Sequence, residues 1–568
     1  MISSKSVRAA VFFFLQLVLL GPGRSVGQVR QIAPGSLVKR PIQRTPETLL
    51  GERLTFESRF AQYFAANSNG DVNAPLAQGD PVVVRVLNPR AGVPYPSTYA
   101  GKSIACRSCH FVDEYTLFIA GENRTYADYL ARSPMPNRGD GAIVTTRNAR
   151  NMVDDFTPRR SALLLHADGE FPSPEVMIKS ALADRVLGWL PNEHDQALHH
   201  IAKVIREDDG HDELGKQYGG SYAKVMLGTA ADIPDEFRLS NEYRIDVATA
   251  TDDQIIDEVA RLISVFLRSL RYEQTAAGLH TGSAYDMFLA KNNLPALPAK
   301  GESDVEYSQK LLQAVEQLQK AKFVLPYERW LRFHPHVCEF GPQELAGLKL
   351  FLRMRTQPWP STASGSVSHT GNCALCHPAP DFTDMRFHNT GAAQEEYDSV
   401  HGVGSFEGLP VPSHAERSLH PEQYLPATHE HPNGTSIFRA IPSPSHPLAT
   451  DLGLWNVYAN ADYPDVQGRL NELLCGAQPC DPNLELPKTI ACFRTPTLRD
   501  LGHSWPYLHN GRMATIEDML RYYVRMSDLA RKGRLRNGAP ELSGISLDEQ
   551  DLAALAAFLR SLDEDYDN

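Results

Sequence analysis

Two stretches of the chain place apolar residues at helical spacing and are preceded by cap signals. Ile255, Ile256, Val259, Leu262, Ile263, Phe266 and Leu270 form one stripe, and Leu552, Leu555, Leu559 and Leu562 form another. Thr251-Asp-Asp-Gln254 and Ser546-Leu-Asp-Glu549 have capping-box spacing ahead of them, in which a hydroxyl meets an orphan N–H and the later side chain reaches back. Both predicted helices end Phe-Leu-Arg-Ser-Leu. A further helix is predicted around Ser308 to Lys322, whereas the stretch from about Gly391 to Pro487 is rich in Pro, His, Gly and Asn and shows little periodicity. It is expected to be largely loop, serving either function or as a cover.

The repeated helix ending is one of three landmarks that recur in the same order. Asp168-Gly169-Glu170-Phe171-Pro172-Ser173-Pro174-Glu175 pairs with Asn510-Gly511-Arg512-Met513-Ala514-Thr515-Ile516-Glu517. Cys106-Arg107-Ser108-Cys109-His110 pairs with Cys373-Ala374-Leu375-Cys376-His377. Two related, mostly helical units follow, with Pro298 to Cys338 as an insertion or connector between them.

At the N-terminus, Lys5 and Arg8 precede an apolar run from Ala9 to Leu20 and small residues through Ser25-Val26-Gly27, the layout of a secretory signal with cleavage near Gly27. That run, about a dozen residues, is too short to span a bilayer, which needs about 20. The expectation is an exported, periplasmic protein, soluble after cleavage and not membrane-spanning. The net charge of −12 argues against a nucleic-acid partner and leaves an acidic face for a basic electron donor.

Of the 8 cysteines, four lie in the repeated motif. The others are Cys338, Cys475, Cys480 and Cys492; Cys475 and Cys480 flank a short Gly-Ala-Gln-Pro loop and are the favoured disulfide, with free buried thiols as the alternative. A Cys-x-x-Cys-His run spaces two thiols for the two vinyl groups of a haem and sets the histidine to reach the iron. Zinc would want a second Cys or His pair nearby, and a redox motif needs no trailing histidine. Two covalently bound c-type haems are therefore expected, with His110 and His377 as proximal ligands.

Function depends on the opposite side of each iron, where an open position binds peroxide or dioxygen and a second ligand makes an electron-transfer haem. In the second unit Met519, Tyr522, Tyr523 and Met526 share one helical face, any of them a candidate ligand, although such stripes often mean core packing. In the first unit no histidine follows His110 until His166, and the stretch between them offers Tyr126, Tyr129 and Met135 as remote candidates, so the first haem is expected to be open.

Phe493-Arg-Thr-Pro-Thr-Leu-Arg-Asp500, Trp505-Pro-Tyr-Leu-His-Asn-Gly511, Thr515-Ile-Glu517 and Phe382-Thr-Asp-Met-Arg-Phe-His-Asn-Thr-Gly391 resemble the second-domain pattern of the bacterial dihaem cytochrome c peroxidase and MauG family. Ser283-Ala-Tyr-Asp-Met-Phe-Leu289 and Gly341 to Phe351 resemble the segment leading into its second haem. The resemblance runs from about Gly101 to the C-terminus and implies a mainly α fold of two cytochrome c-like helical domains, with haem between helices and long irregular loops and insertions. The corresponding division is a signal peptide at 1–27, an N-terminal extension at 28–99, a first domain with the peroxidatic haem at 100–297, a connector at 298–340 and a second domain with the electron-transfer haem at 341–568.

The resemblance further implies a calcium ion, with ligands at Asn148 and the carbonyls of Ser504 and Pro506. It puts the electron-transfer axial ligand at Tyr523, where the peroxidases have Met and MauG has Tyr. Ala167 matches the family's inter-haem tryptophan and Met177 its distal glutamine; Asp184 and Glu193 lie near the place of the catalytic glutamate. The implied activity is peroxidase-type reduction of hydrogen peroxide, with electrons from a small protein such as a cytochrome c or cupredoxin. The alternatives are a MauG-like or rubber-oxygenase-like oxidase, and a non-catalytic dihaem electron carrier.

Overall fold

Each Cys-x-x-Cys-His unit is served by a pair of helices that cross so closely that only glycine fits at the contact. The computed structural model describes residues 44–87, 94–96, 99–110, 132–150, 152–154, 156, 164–275, 278–331, 334, 336–355 and 368–565. The leader, Tyr126 and Tyr129 lie outside these residues. The fold is mainly α-helical, and the described residues include two short antiparallel ribbons: β1 (Arg85–Leu87) with β2 (Pro94–Pro96), and β3 (Phe387–His388) with β4 (Phe493–Arg494). None of the described helices is long and apolar enough to cross a membrane.

The principal helices are α1 (Pro46–Phe56), α2 (Cys106–Cys109), α3 (Pro174–Leu182), α4 (His194–Glu207), α5 (Asp252–Ser269), α6 (Ala284–Lys291), α7 (Asp304–Glu316), α8 (Pro342–Leu352), α9 (Ala392–His401), α10 (Pro464–Cys475), α11 (Ile516–Arg531) and α12 (Glu549–Arg560). The two predicted closing helices are α5 and α12, and both apolar stripes are buried as expected. The capping box on α5 forms as read, with Gln254 N–H donating to Thr251 Oγ1 at 3.3 Å and Thr251 N–H donating to Gln254 Oε1 at 2.9 Å. For α12 the cap falls two residues later than expected. Asp548 and Asp551 form the box, because the backbone of Ser546 is committed to a bridge with Thr370.

α1 packs on α5, and α8 packs on α12. A Cβ at Gly51 would lie 2.1 Å from the Leu262 carbonyl oxygen, and one at Gly347 would lie 2.0 Å from that of Ala554. The repeat read from sequence is thus a repeat of helix crossings. The described part of the segment read as an N-terminal extension supplies α1, whose Leu50 and Leu54 join the same hydrophobic cluster as the α5 stripe. Burial ties this helix down: Arg53 bonds Asp208 at 2.9 Å with both side chains 0% exposed, and the Arg53 guanidinium stacks on Tyr222. An uncompensated charge at such depth would be costly, so the pair resists loss of either partner.

Two expectations need correction. The connector helix is Asp304–Glu316, about four residues earlier than predicted, because Ser303 caps it and Glu306 closes a capping box. The stretch 391–487 is loop only in part: it contains α9, α10 and shorter helices around its own cluster of Tyr397, Phe406, Phe438, Trp455 and Leu470, whereas from 425 to 463 it is irregular apart from one turn at Leu454–Asn456. Its apolar residues are spread over short elements, which leaves no long periodic run to read. The Cys475–Cys480 disulfide is present, whereas Cys338 and Cys492 are free and buried.

Gly347→Ala is expected to lower the thermal midpoint, since its methyl group must push α8 off α12. Gly468 in α10 has nothing within 4 Å of the point a methyl group would occupy, so Gly468→Ala should be neutral or stabilising by about 0.5–1 kcal/mol. Equal effects in calorimetric melts of the two variants would contradict the crossing argument.

Candidate functional site

In each motif the chain makes one turn, so that His110 N–H donates to Cys106 O at 3.0 Å and His377 N–H donates to Cys373 O at 2.8 Å. That turn brings both sulfurs and the imidazole to one side of the backbone. The histidine rings are then fixed alike: His110 Nδ1 meets Arg150 O at 3.0 Å and His377 Nδ1 meets Phe382 O at 2.9 Å. An Nδ1–H given to a carbonyl leaves Nε2 as the lone-pair atom, the form in which histidine binds a metal. Burial also lowers the His377 pKa, which favours the neutral ring.

Both motifs open on one cavity of about 1680 Å³, lined by Cys106, Cys109, His110, Cys373, Cys376 and His377. Small-ligand pockets run to about 1,000 Å³, so this volume suits groups larger than one ordinary substrate. All four motif thiols are free of disulfides. Thiols outside any disulfide, tautomer-fixed histidines and a large cavity together fit two porphyrins attached through sulfur.

The four-residue face on α11 divides. Tyr522 is fully buried and donates its hydroxyl to Thr390 O at 2.6 Å, and Met526 packs inside a hydrophobic cluster against Gly391. Met519 and Tyr523 instead line the cavity, and the Tyr523 phenol has its pKa raised by burial and by the Cys376 and Cys373 sulfurs beside it. Met135, in the first unit, also lines the cavity.

The two carboxylates singled out near the first motif have different surroundings. Glu193 is gripped by Arg138 through two bonds of 2.6 and 3.0 Å and accepts from Leu190 N–H; these contacts outweigh burial and lower its pKa. It is not among the cavity-lining residues. Asp184 lines the cavity and has an accessible carboxylate, although protein atoms surround it: what it is accessible to is the cavity. Burial, with the charge of Glu170 adding to it, raises its pKa against the pull of the Arg185 N–H, His166 and Arg439. A carboxyl group that holds its proton more tightly is suited to act as an acid.

Sequence reasoning did not find the charged network behind Asp184. Asp168 is fully buried and takes Arg439 at 2.6 Å and Arg147 at 2.8 Å; Arg439 also reaches Glu170 at 2.8 Å, and Arg147 clasps Asp451 at 2.6 and 2.9 Å. Glu170 is further hydrogen-bonded to His166, and Arg439 and its other partners hold its pKa well down despite burial. Arg439 and Asp451 come from the 391–487 stretch, which also lines the cavity from Pro426 to Ile441 and from Asp462 to Val466. That stretch therefore closes over the first motif. The only sequence signal was the Asp168-Gly-Glu170 landmark, where Gly169 has φ +78° and a Cβ would strike the Phe387 ring at 2.5 Å. Its arginine partner lies 271 residues away and leaves no local pattern.

Of the residues matched to calcium ligands, Asn148 and Pro506 meet: the Asn148 side-chain amide contacts Pro506 O, and Asn148 N–H donates to His509 O at 2.6 Å. With the amide turned over, its oxygen would join the Pro506 carbonyl in an all-oxygen set of the kind a hard cation prefers. His509 stacks on Phe493 with ring centroids 3.6 Å apart. Its pKa is pulled down to about 3 by burial and by Arg147, Arg132 and Arg150, with Asp451 opposing.

No family model matches the chain. The cytochrome-c peroxidase IdrP1 of Denitromonas iodatirespirans is 36% identical over 76 residues, which is 13% of this chain and 19% of that protein. The matched segment thus spans about a fifth of the relative. Among solved structures, a MauG-like protein associated with microbial copper homeostasis aligns at 16% identity and TM-score 0.41 over 95% of this chain and 96% of its own. The diheme peroxidase BthA from Burkholderia thailandensis E264 aligns at 15% identity and TM-score 0.41 over 92% and 86%.

His509 is neutral when folded down to about pH 3 but takes a proton in the unfolded chain below about 6.5, so the unfolded state binds more protons between those values and stability falls as pH drops through that window. His509→Phe should flatten this part of the stability–pH curve measured by denaturant titration. A slope unchanged by the substitution would remove His509 as its source.

Proposed function

We propose that this chain, which resembles the bacterial dihaem cytochrome c peroxidase and MauG family, is an exported dihaem c-type cytochrome acting as a peroxidase-type oxidoreductase. One haem is joined to Cys106 and Cys109 with His110 as proximal ligand, and the other to Cys373 and Cys376 with His377. The observation that carries this reading is that both motif histidines give Nδ1 to a main-chain carbonyl while facing one cavity lined by four cysteines that form no disulfide. When bound, the haem irons supply one-electron chemistry and the means of cleaving a peroxide O–O bond.

The protein's own groups do the rest. Asp184 is the group placed to move a proton to a departing oxygen: it faces the cavity, and burial makes it hold a proton more tightly than a free carboxyl group does. Arg439 and Arg147, with His166 bonded to Glu170, hold the Glu170 carboxyl well below the usual carboxylate range behind it, and the charge of Glu170 bears on Asp184. The covering stretch from 391 to 487 limits access of water to this chemistry. Glu193, tied to Arg138, supports the loop and not the reaction. Asn148 with the Ser504 and Pro506 carbonyls holds a calcium ion. Cys373, Cys376 and His377 would hold the haem that takes electrons from a small basic protein, such as a cytochrome c or cupredoxin, and the net charge of −12 favours a basic partner.

Tyr523 favours a second reading. It lines the cavity while Tyr522 is spent on Thr390, so tyrosinate is the proposed axial ligand of the second haem. A hard anionic donor stabilises ferric iron and lowers the potential, which suits MauG-like oxidation of a protein or organic substrate.

Purified mature protein should stain for covalent haem, and its ferric spectrum should show one high-spin and one low-spin centre. Two low-spin centres would indicate an electron carrier. Peroxide turnover with a reduced cytochrome separates the enzyme readings: Asp184→Asn should lower kcat/KM about 10²-fold, whereas Glu193→Gln should stay within a few-fold. Equal losses would unseat Asp184. Tyr523→Phe should raise the potential of the second haem, and an unchanged potential and spectrum would strike Tyr523 from the ligands.

A further inference from the structure

Away from the cavity, the connector meets the C-terminal end of α12 in a cluster of histidines and aspartates to which the mechanism gives no task. His334 and His336 come from the connector, Asp563 follows α12, and Asp500, Gly502 and His503 lie on the turn between β4 and α11. None of these residues lines the cavity.

Three donor atoms converge there, and each belongs to a side chain whose other polar atom is already held. His334 is 0% exposed in its side chain; its Nε2 meets Asp500 Oδ1 at 3.2 Å and Glu564 O at 3.1 Å, so Nε2 carries the proton and Nδ1 carries the lone pair. Among the described residues Nδ1 has no hydrogen-bond partner. It faces Asp563 Oδ2 at 3.6 Å, too far for a hydrogen bond. His336 meets Val337 O through Nδ1 at 3.1 Å, leaving Nε2 to face the same Asp563 Oδ2 at 2.9 Å. Asp563 accepts from Gly502 N–H at 3.2 Å through Oδ1, leaving Oδ2 toward both rings. All three donors lie within 4.8 Å of one another.

We propose that His334 Nδ1, His336 Nε2 and Asp563 Oδ2 hold a zinc ion, with Asp500 and the Glu564 carbonyl orienting His334 from behind. Zinc bonds of about 2.0–2.2 Å put neighbouring ligand atoms about 3.3 Å apart, between the two contacts to Asp563 seen here. Two imidazoles and a carboxylate suit zinc, whereas calcium and magnesium take oxygen ligands, which separates this site from the calcium site at Asn148. A ring nitrogen held by a carboxylate is the usual support of a metal-binding histidine. His336 is 23% exposed, so a water reaches the fourth position from that side. Gly502 keeps the donor space clear, since a Cβ there would lie 2.4 Å from His334 Nδ1 and 2.8 Å from Asp563 Oδ2. The ion would clip the connector to the C-terminal end of α12.

The competing arrangement is an ion-pair cluster without metal. Asp500, Asp563 and Asp565 overcome burial and raise the His334 pKa to about 9, which makes the ring a cation. Metal binding and that proton exclude each other at Nδ1.

The test uses the full mature protein. It is stripped with a chelator and equilibrated by dialysis against Zn²⁺ alone in excess Ca²⁺, with zinc counted by elemental analysis. The expected result is one Zn²⁺ per chain, bound at least about 10-fold more weakly by His336→Gln and by Gly502→Ala. His336 is partly exposed, so its variant should keep the native circular dichroism and haem absorption. Asp563→Asn, deeper in the cluster, is a confirming variant only if it keeps them too. Wild type that binds no Zn²⁺, or that binds it as well as a natively folded His336→Gln does, overturns the proposal. The count does not depend on peroxide turnover, so failure of the peroxidase reading would leave it standing.

Discussion

The two hydrogen bonds from His110 Nδ1 to Arg150 O and from His377 Nδ1 to Phe382 O are the constraint on which the candidate site rests. Each depends on a residue outside its motif being held still, 40 residues on for His110 and 5 for His377. Arg150 is bound through its guanidinium to Arg494 O on β4, at 3.1 Å. Phe382 is fully buried, edge-on to Tyr285 and packed near Phe351 and Phe558. The imidazoles are therefore set by the cores around them and not by local backbone alone. The glycine-mediated crossings of α1 with α5 and of α8 with α12 make those cores dense enough to do so.

Charge is distributed unevenly about this frame. Buried Asp168, Glu170 and Asp451 are balanced by Arg147 and Arg439, and the balance spans segments hundreds of residues apart in the chain. Such a network adds little net stability over an apolar core, but losing one member is costly. Its value here is a fixed field beside Asp184, the one carboxyl group of the first unit singled out from sequence that faces the cavity.

What could be read from sequence was what repeats or has a period. The motif pairs, the closing helices α5 and α12, the landmark glycines and the Cys475–Cys480 pair are local patterns, and local backbone physics is enough to place them. The α12 cap slipped by two residues because a tertiary bridge between Ser546 and Thr370 prevailed over a hydroxyl cap. The role of α1 was invisible because it is buried on most sides, with Glu47, Thr48, Glu52, Arg53 and Thr55 among the buried residues, so no apolar stripe marks it. Which phenol of the α11 face reaches the cavity turned on one hydroxyl, since Tyr522 gives its own to Thr390 O while Tyr523 lines the cavity. Arg439 and Asp451 could not be linked to Asp168 and Arg147 at all, since pairing at that separation depends on the finished fold.

The pairing of the covering stretch with the first unit also bears on how such a chain changes by descent. With Arg147 clasping Asp451 and Arg439 answering Asp168 and Glu170, neither piece can be swapped for a homologous one without stranding an ionised group in the interior. Inheritance has to carry the lid and the floor of the chamber together, and substitutions at 147, 168, 170, 439 and 451 should arise in compensating sets.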